Sequence, residues 1–193
     1  VHLGIDAQKF HPDASLAAYV HETIGIPLNR RVFFYAGHME ERKGVHVLVK
    51  AARILFEKFN RNDFHLLILG NREGEETRFF PFLEGSEARS HVTFGGYRKD
   101  IEKLLCGCYV GLIASSGWDS FPRTAIEIAS AGLPLIVSNL PGLNETVVEG
   151  ETGYTFPVSD AEALAGRMND MLQNPARRDE MSVKARKRVL DGF

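Results

Sequence analysis

A strand, a charged turn and a helix follow one another in residues 31–59, RVFFYAGHMEERKGVHVLVKAARILFEKF. Residues 31–37 are apolar at almost every position, which predicts a strand that is buried on both faces. From Val45 to Phe59 apolar residues recur at intervals of three and four, which predicts an amphipathic helix. A buried strand followed by such a helix is the repeating unit of a parallel sheet, so this stretch predicts an α/β fold.

The same alternation continues through the rest of the chain. Further strands are predicted at residues 64–70, 91–95, 109–114, 133–137 and 153–156, and further helices at residues 75–88, 99–105, 124–131, 160–173 and 176–190. Strands joined by helices with right-handed crossovers form a parallel sheet that is covered on both faces. The sequence therefore predicts one Rossmann-like, doubly wound domain at residues 13–193, preceded by a lead-in segment at residues 1–12.

The composition excludes several broad classes of protein. The 193 residues are 44% hydrophobic and 25% charged, which is typical of a globular domain and not of a disordered or fibrous chain. The net charge of -2 predicts no nucleic-acid partner. Cys106 and Cys108 are spaced for neither a disulfide nor a zinc site. No apolar run approaches the ~20 residues of a membrane span. No signal-peptide pattern opens the sequence, and we expect a cytoplasmic protein.

Ligands of such sheets bind beyond the carboxyl ends of the strands, next to helix N-termini. Several familiar motifs are absent from these positions. Residues 37–44 lack the spacing of a P-loop, no strand is followed by the three glycines of a dinucleotide site, and no Ser stands in a hydrolase elbow. The seven histidines are scattered without ligand spacing, which predicts surface or strand-edge positions for most of them.

The turn at residues 37–44, GHMEERKG, is the first candidate site. It would place Arg42 and Lys43 over the ligand edge of the sheet, just before a helix begins. Phosphate is the natural partner of this pair, because Arg offers a planar fork of donors and Lys a point charge. The alternative is a solvated turn in which Glu40 and Glu41 pair with the two cations.

The second candidate site is the loop and helix start at residues 115–127, SSGWDSFPRTAIE. Free backbone N–H groups and the helix dipole make such a helix start a seat for an anion. Asp119 precedes the helix, and Glu127 follows about two turns into it among apolar neighbours. A pair of ribose hydroxyls would satisfy that carboxylate. The alternative is a helix cap at Asp119 or Ser120 with Glu127 exposed. A third turn, at residues 139–145, is either a further site or a simple turn and cap.

These segments together resemble the C-terminal half of family-4, retaining glycosyltransferases, which have the two-domain GT-B fold. Five segments carry the resemblance, in the right order and at the right spacing. Residues 4–12 resemble the family's hinge, residues 37–44 its phosphate turn and residues 119–127 its paired-glutamate motif. Residues 129–137 resemble the Ala-x-Gly-x-Pro run behind that motif, and residues 142–154 the closing acidic region.

The resemblance implies a nucleoside-diphosphate sugar as donor, with no metal and no other cofactor. It implies that Asp119 and Glu127 are the catalytic carboxylates, that Asp119 and Ser120 face the donor sugar, and that Glu127 accepts hydrogen bonds from the ribose. The residues implied to bind the donor phosphates are Gly37, His38, Arg42, Lys43, Phe121, Pro122 and Arg123, and those implied to lie at the nucleobase are Gly96, Tyr97 and Arg98.

The sequence departs from the family pattern at three positions. His38 stands where the family usually has Arg, and a neutral imidazole binds phosphate more weakly than a guanidinium. Asp119 is one methylene shorter than the usual Glu, which changes its reach toward the sugar. Leu143 replaces the second Gly before the late glutamate.

The implied reaction is transfer of a hexose from the donor to an acceptor with retention of anomeric configuration. The acceptor site would lie in an N-terminal domain beyond this chain, so we expect the 193 residues to bind the donor and to be inactive alone. Any membrane association, peripheral to the inner membrane, would be carried by that other domain. Two alternatives remain open: a sugar-nucleotide epimerase on the same fold, and a non-catalytic domain that binds a partner.

Overall fold

The computed structural model describes residues 6–117 and 123–192. Their six strands form one parallel sheet in the order β3-β2-β1-β4-β5-β6, so the sequence order reverses between β1 and β4. This arrangement confirms the predicted α/β, doubly wound, single-domain fold. The strands are β1 (Arg31–Ala36), β2 (Phe64–Leu69), β3 (Val92–Phe94), β4 (Val110–Ile113), β5 (Leu135–Ser138) and β6 (Gly153–Phe156).

Helices connect these strands and cover both faces of the sheet. They are α1 (Tyr19–Ile24), α2 (Val45–Glu57), α3 (Ile101–Leu105), α4 (Arg123–Ser130), α5 (Ala161–Gln173) and α6 (Pro175–Gly192). On one face, α2 and α5 pack over alternate strand residues such as Phe33 and Leu66. On the other, α1, α3 and α4 pack over the intervening residues, such as Phe34 and Leu67. Two apolar layers therefore hold the sheet rigid and leave its carboxyl edge for a ligand.

The segment between β2 and β3 differs from the single helix predicted at residues 75–88. It forms two 3₁₀ helices, Glu75–Leu83 and Glu87–His91. Pro81 lies inside the first of these and has no N–H to continue an α-helical ladder. Gly85 lies between the two with a φ of 71°, a left-handed conformation that ends a helix. The third strand is also shorter than predicted, because His91 belongs to the second 3₁₀ helix.

Two histidines differ from the prediction of surface or strand-edge positions. His65 and His91 are each only 4% exposed. The Nε2 atom of His65 lies 2.8 Å from the hydroxyl of Thr93 on the neighbouring strand. The His91 ring contacts the rings of Phe56 and Phe64, with centroid distances of 4.9 and 5.1 Å. Both imidazoles are therefore part of the core at the β2–β3 side of the sheet.

The described part of the lead-in segment packs against the domain. Phe10 is buried among the residues of α4 and α6. Its carbonyl accepts hydrogen bonds from the Ser130 hydroxyl at 2.7 Å and from the Arg186 guanidinium at 3.2 Å. The lead-in is therefore continuous with the core, and its division from the domain at residue 12 stays a prediction.

Candidate functional site

Two cavities lie at the carboxyl edge of the sheet, where β1 and β4 are neighbours. Their volumes are about 200 Å³ and about 230 Å³. Ala36, Gly37, His38 and Thr124 line both, so the two cavities form one crevice. Doubly wound sheets bind their ligands at this reversal of strand order, because the loops of the two central strands diverge there. We refer to these two joined cavities as the switch-point crevice.

The turn after β1 forms one wall of the crevice. Gly37, His38 and Lys43 line the smaller cavity, and the Tyr35 hydroxyl holds the turn by donating a 2.9 Å hydrogen bond to the His38 carbonyl. Residues 41–43 form a 3₁₀ helix. Helix α2 begins at Val45, as predicted. The turn therefore places a lysine and a histidine beside the predicted phosphate position.

Arg42 has a different environment from its neighbour Lys43. Its Nε atom lies 2.6 Å from the Glu40 carboxylate, and the side chain is 45% exposed. Among the described residues, Lys43 lines the crevice and Arg42 does not. This ion pair is the alternative that the sequence left open for Arg42. The role of Arg42 toward phosphate stays a prediction.

The loops after β1 and β4 contact each other through their backbones. The Ser116 N–H donates a 2.7 Å hydrogen bond to the Arg42 carbonyl. Gly44 has a φ of 70°, and a Cβ at this position would overlap the carbonyl oxygen of Ala114. Only glycine permits both this backbone conformation and this close approach. The contact fixes the two walls of the smaller cavity relative to each other.

The N-terminal turn of helix α4 lies at the crevice. Thr124 lines both cavities, although nothing in the sequence pattern singled it out. The N-terminal turn of a helix carries unpaired N–H groups and a partial positive charge, which favour an anion. Asp119, Ser120, Phe121 and Pro122, which were predicted to bind the sugar and the phosphates, lie outside the described residues.

Glu127 lies in the second turn of α4, which begins at Arg123 among the described residues. Its side chain is 19% exposed, and its Oε1 atom forms an ion pair with the Nε atom of Arg123 at 3.0 Å. Burial raises the pKa of Glu127 above its usual range, against the opposing effects of Arg123 and Lys9. The arrangement therefore holds a carboxylate where ionisation is disfavoured, paired with a cation that is 69% exposed.

The loop after β3 forms the other end of the crevice. Tyr97 and Arg98 line the larger cavity, and Tyr97 is 80% exposed. The Arg98 guanidinium donates to both carboxylate oxygens of Asp100, at 2.8 and 2.5 Å, and the Tyr19 hydroxyl donates to the same carboxylate at 2.9 Å. Arg98 is thus held by its own ion pair, which raises the pKa of its guanidinium. Tyr97 presents an aromatic ring to the crevice.

The third predicted turn lies apart from this arrangement. Its residues 144–146 form a short 3₁₀ helix, and Arg188 of α6 donates hydrogen bonds to the carbonyls of Glu145 and Thr146 at 2.8 and 2.9 Å. None of residues 139–145 belongs to the described lining of the crevice. The contacts are those of a turn held against the C-terminal helix.

In residues 6–117 and 123–192, no group of three or more His, Cys, Asp and Glu side chains is placed to hold a metal ion. Within those ranges, no helix has both the length and the apolar character that crossing a bilayer requires. Cys106 and Cys108 are both free thiols.

The fold is that of a doubly wound α/β domain with a crevice at its switch point. The family model for glycosyl transferases group 1 matches residues 20–188. The chain belongs to the glycosyl transferases group 1 family, and its fold is that of the C-terminal domain of GT-B glycosyltransferases.

Individual relatives agree with this assignment. Spore coat protein SA of Bacillus subtilis (strain 168) is 25% identical over 100% of this chain and 54% of its own length. The UDP-Gal:alpha-D-GlcNAc-diphosphoundecaprenol alpha-1,3-galactosyltransferase of Escherichia coli is 26% identical over 98% of this chain and 49% of its own length. The crystal structure of Anabaena Alr3699/HepE in complex with UDP has the same fold, with a TM-score of 0.89 and 19% identity over 100% of this chain and 52% of that one. The chain thus spans about half the length of the relatives it matches.

Proposed function

We propose that this chain is the donor-binding domain of a retaining, family-4-type glycosyltransferase, and that the switch-point crevice binds a nucleoside-diphosphate sugar. The observation that carries the proposal is that the crevice joins a lysine-bearing turn, a helix N-terminus and an exposed aromatic ring at one sheet edge. The first two suit a diphosphate and the third suits a base. Family membership and the UDP-Gal donor in the name of the Escherichia coli relative support this reading.

The diphosphate would lie between the β1 turn and the start of α4. Lys43 supplies a positive charge from one side, and the amides and hydroxyl of the first turn at Thr124 supply donors from the other. During transfer, negative charge develops on the leaving diphosphate. Donors that are already oriented there lower the barrier, because they need no reorganisation in the transition state. No metal ion is required in this proposal.

Sugar and ribose would be bound by the carboxylates of the same helix region. Glu127 is half-buried, so its ionised form needs specific hydrogen-bond donors, and two ribose hydroxyls supply them. Asp119 and Ser120 would face the sugar, and Asp119 with Glu127 would be the catalytic pair. The base would stack on Tyr97, with Gly96 and Arg98 beside it.

The acceptor would be bound by a further domain, which accounts for the remaining length of the relatives. We therefore expect this chain to bind donor weakly and to transfer no sugar alone. Membrane association and a cytoplasmic location of the complete enzyme are part of the same proposal. Detectable transfer by the 193 residues would contradict the expectation of inactivity.

Calorimetric titration with UDP, GDP and ADP tests the proposal and identifies the base. Lys43→Ala should weaken binding about 10- to 100-fold, because a charge-assisted hydrogen bond contributes about 1.5–3 kcal/mol. Glu127→Ala should weaken it through the ribose. Lys184→Ala and Glu180→Gln, at exposed positions of α6, are the matched controls and should leave affinity unchanged. If neither Lys43→Ala nor Glu127→Ala changes the affinity, the site assignment is wrong.

Two other functions predict different results, one in this titration and one in an activity assay. A non-catalytic, partner-binding domain would bind none of the three nucleotides. A sugar-nucleotide epimerase would bind them but would also interconvert the sugar of its donor without any acceptor. The family match favours the transferase over the epimerase.

A further inference from the structure

Asn71 is a buried polar residue that no part of the proposed donor contact uses. It lies two residues after the end of β2 and is 8% exposed. Its Nδ2 donates to the Glu76 carboxylate at 3.1 Å and to the Arg72 carbonyl at 3.4 Å. Its Oδ1 accepts the backbone N–H of Gly96 at 2.9 Å. Both ends of the amide are therefore engaged, one with its own loop and one with the loop after β3.

The contact with Gly96 fixes the start of the loop that carries Tyr97. Gly96 has a φ of 68°, and its carbonyl accepts the Gly70 N–H at 2.8 Å. The N–H and the C=O of this one residue are thus both bonded to the end of β2. Tyr97 comes next, exposed and lining the larger cavity. The height of its ring over the crevice therefore depends on Gly70 and Asn71.

The same end of β2 also contacts the phosphate turn. Gly37 donates its N–H to the Leu69 carbonyl at 3.1 Å. Gly70 has a φ of 104°, and a Cβ there would overlap the carbonyl oxygen of Gly37. Residues 69–71 thus lie between the turn at residues 37–44 and the loop at residues 96–98. They set the separation of these two loops.

We propose that Asn71 is a positioning residue that orients the base-binding loop of the crevice, an inference that rests on the proposed function. Without the Asn71 side chain, the Gly96 N–H loses its partner and the loop loses one of the contacts that hold it. The phosphate turn has separate anchors, the Tyr35 hydroxyl on His38 and the Ser116 N–H on Arg42. Asn71 therefore governs the binding of the base and not the binding of the diphosphate.

The test compares a nucleotide with pyrophosphate, which has no base. Asn71→Ala should weaken the best bound of UDP, GDP and ADP at least about 10-fold, and should change pyrophosphate affinity less than about 2-fold. Glu73→Gln, an exposed position in the same loop, is the control and should change neither affinity. Equal losses for both ligands, or no loss for either, would overturn the inference while leaving the proposed function intact.

A second pair of variants decides the question even if Asn71→Ala does not fold. N71D alone keeps an acceptor for Gly96 but faces the Glu76 carboxylate. N71D combined with E76Q restores a donor–acceptor pair in the reverse direction and should recover nucleotide affinity to within about 3-fold of wild type. A double variant that binds nucleotide no more tightly than N71D would count against positioning through the side-chain pair at positions 71 and 76. A wild-type chain that binds none of the nucleotides would refute the proposed function, and this inference with it.

Discussion

At the scale of single residues, the raised pKa of Glu127 links the candidate site to the stability of the fold. The Glu127 carboxyl is half-buried, and burial raises its pKa. Folding therefore disfavours the ionised form of this side chain relative to the unfolded chain. Lys43 lies in a turn that is open to the crevice. A buried carboxylate with a raised pKa is a common feature of functional sites, and it has a measurable consequence for folding.

Glu127→Gln should raise the free energy of unfolding at pH 7–8. A carboxyl whose pKa is raised by folding adds stability below its ordinary pKa, and that stability is lost as pH rises through the raised value. The advantage of Gln should therefore be greatest at neutral pH and should shrink toward pH 4. Urea denaturation of the two proteins at several pH values measures it. A variant less stable than wild type at pH 7 would show that the Arg123 pair outweighs burial.

His65 gives the fold a pH dependence of the opposite sign. Burial, with smaller effects of Arg30, His91 and His21, lowers the pKa of this imidazole from 6.5 to about 3. Its neutral form therefore adds stability that is complete above pH 6.5 and is lost as pH falls toward 3. His65→Leu should flatten the decline in unfolding free energy below pH 6.5 by up to about 1.4 kcal/mol per pH unit. Parallel wild-type and His65→Leu curves would contradict this account.

At the scale of elements, the turn between β1 and α2 depends on the glycine at its end. Gly44 and Gly25 both end a helix in a left-handed conformation, with φ of 70° and 79°. They differ in their surroundings: a Cβ on Gly44 would overlap Ala114, whereas nothing lies within 4 Å of a Cβ on Gly25. The two positions thus separate backbone strain from steric contact.

Gly44→Ala should therefore destabilise the fold more than Gly25→Ala. Left-handed strain costs about 1–2 kcal/mol at either position, and the overlap at Gly44 adds about 1–3 kcal/mol as the loops after β1 and β4 move apart. Thermal and urea unfolding of both variants measure the difference. Gly44→Ala should also weaken nucleotide binding, whereas Gly25→Ala should not. Equal destabilisation would mean that the two loops are not held by this contact.

The elements that the sequence predicts well are those in which one signal dominates. Each of the four central strands was recognisable because its apolar run reflects burial on both faces, as in β2, where all six residues are buried. Helix α1 was missed because six residues with Val20 as the buried one carry too little periodicity. The 3₁₀ geometry of residues 75–91 was missed because Pro81 and Gly85 indicate that an α-helix is interrupted but do not indicate which structure takes its place.

Several site residues that follow strands were predictable from the sequence. His38, Lys43 and Tyr97 all follow strands, and parallel topology alone places them at one edge. Thr124 and Asn71 were not predictable in this way. Thr124 is one small polar residue in a helix start, and Asn71 acts through Gly96, 25 positions along the chain. A contact of that kind is set by the register of β2 and β3, which the sequence pattern does not specify.

At the scale of the whole molecule, α6 connects parts of the chain that are far apart in sequence. Arg178 donates to the Tyr109 carbonyl before β4, and Arg188 donates to the turn after β5. Arg186 donates to the carbonyls of Ser130, at the end of α4, and Phe10, in the lead-in. These guanidinium groups satisfy buried or half-buried carbonyls and make the lead-in, α4 and α6 one unit.

Arg186→Ala should lower the free energy of unfolding by about 1.5–3 kcal/mol, because two carbonyls lose a charged donor together. Lys187→Ala is the matched control, because the Lys187 side chain is 73% exposed and pairs with Asp191 within the same helix, so its loss should change stability little. Urea denaturation followed by both circular dichroism and fluorescence should show one coincident transition for each variant, since the lead-in unfolds with the core. A loss for Arg186→Ala no greater than for Lys187→Ala, or an early separate transition in wild type, would show that the lead-in is a detachable segment after all.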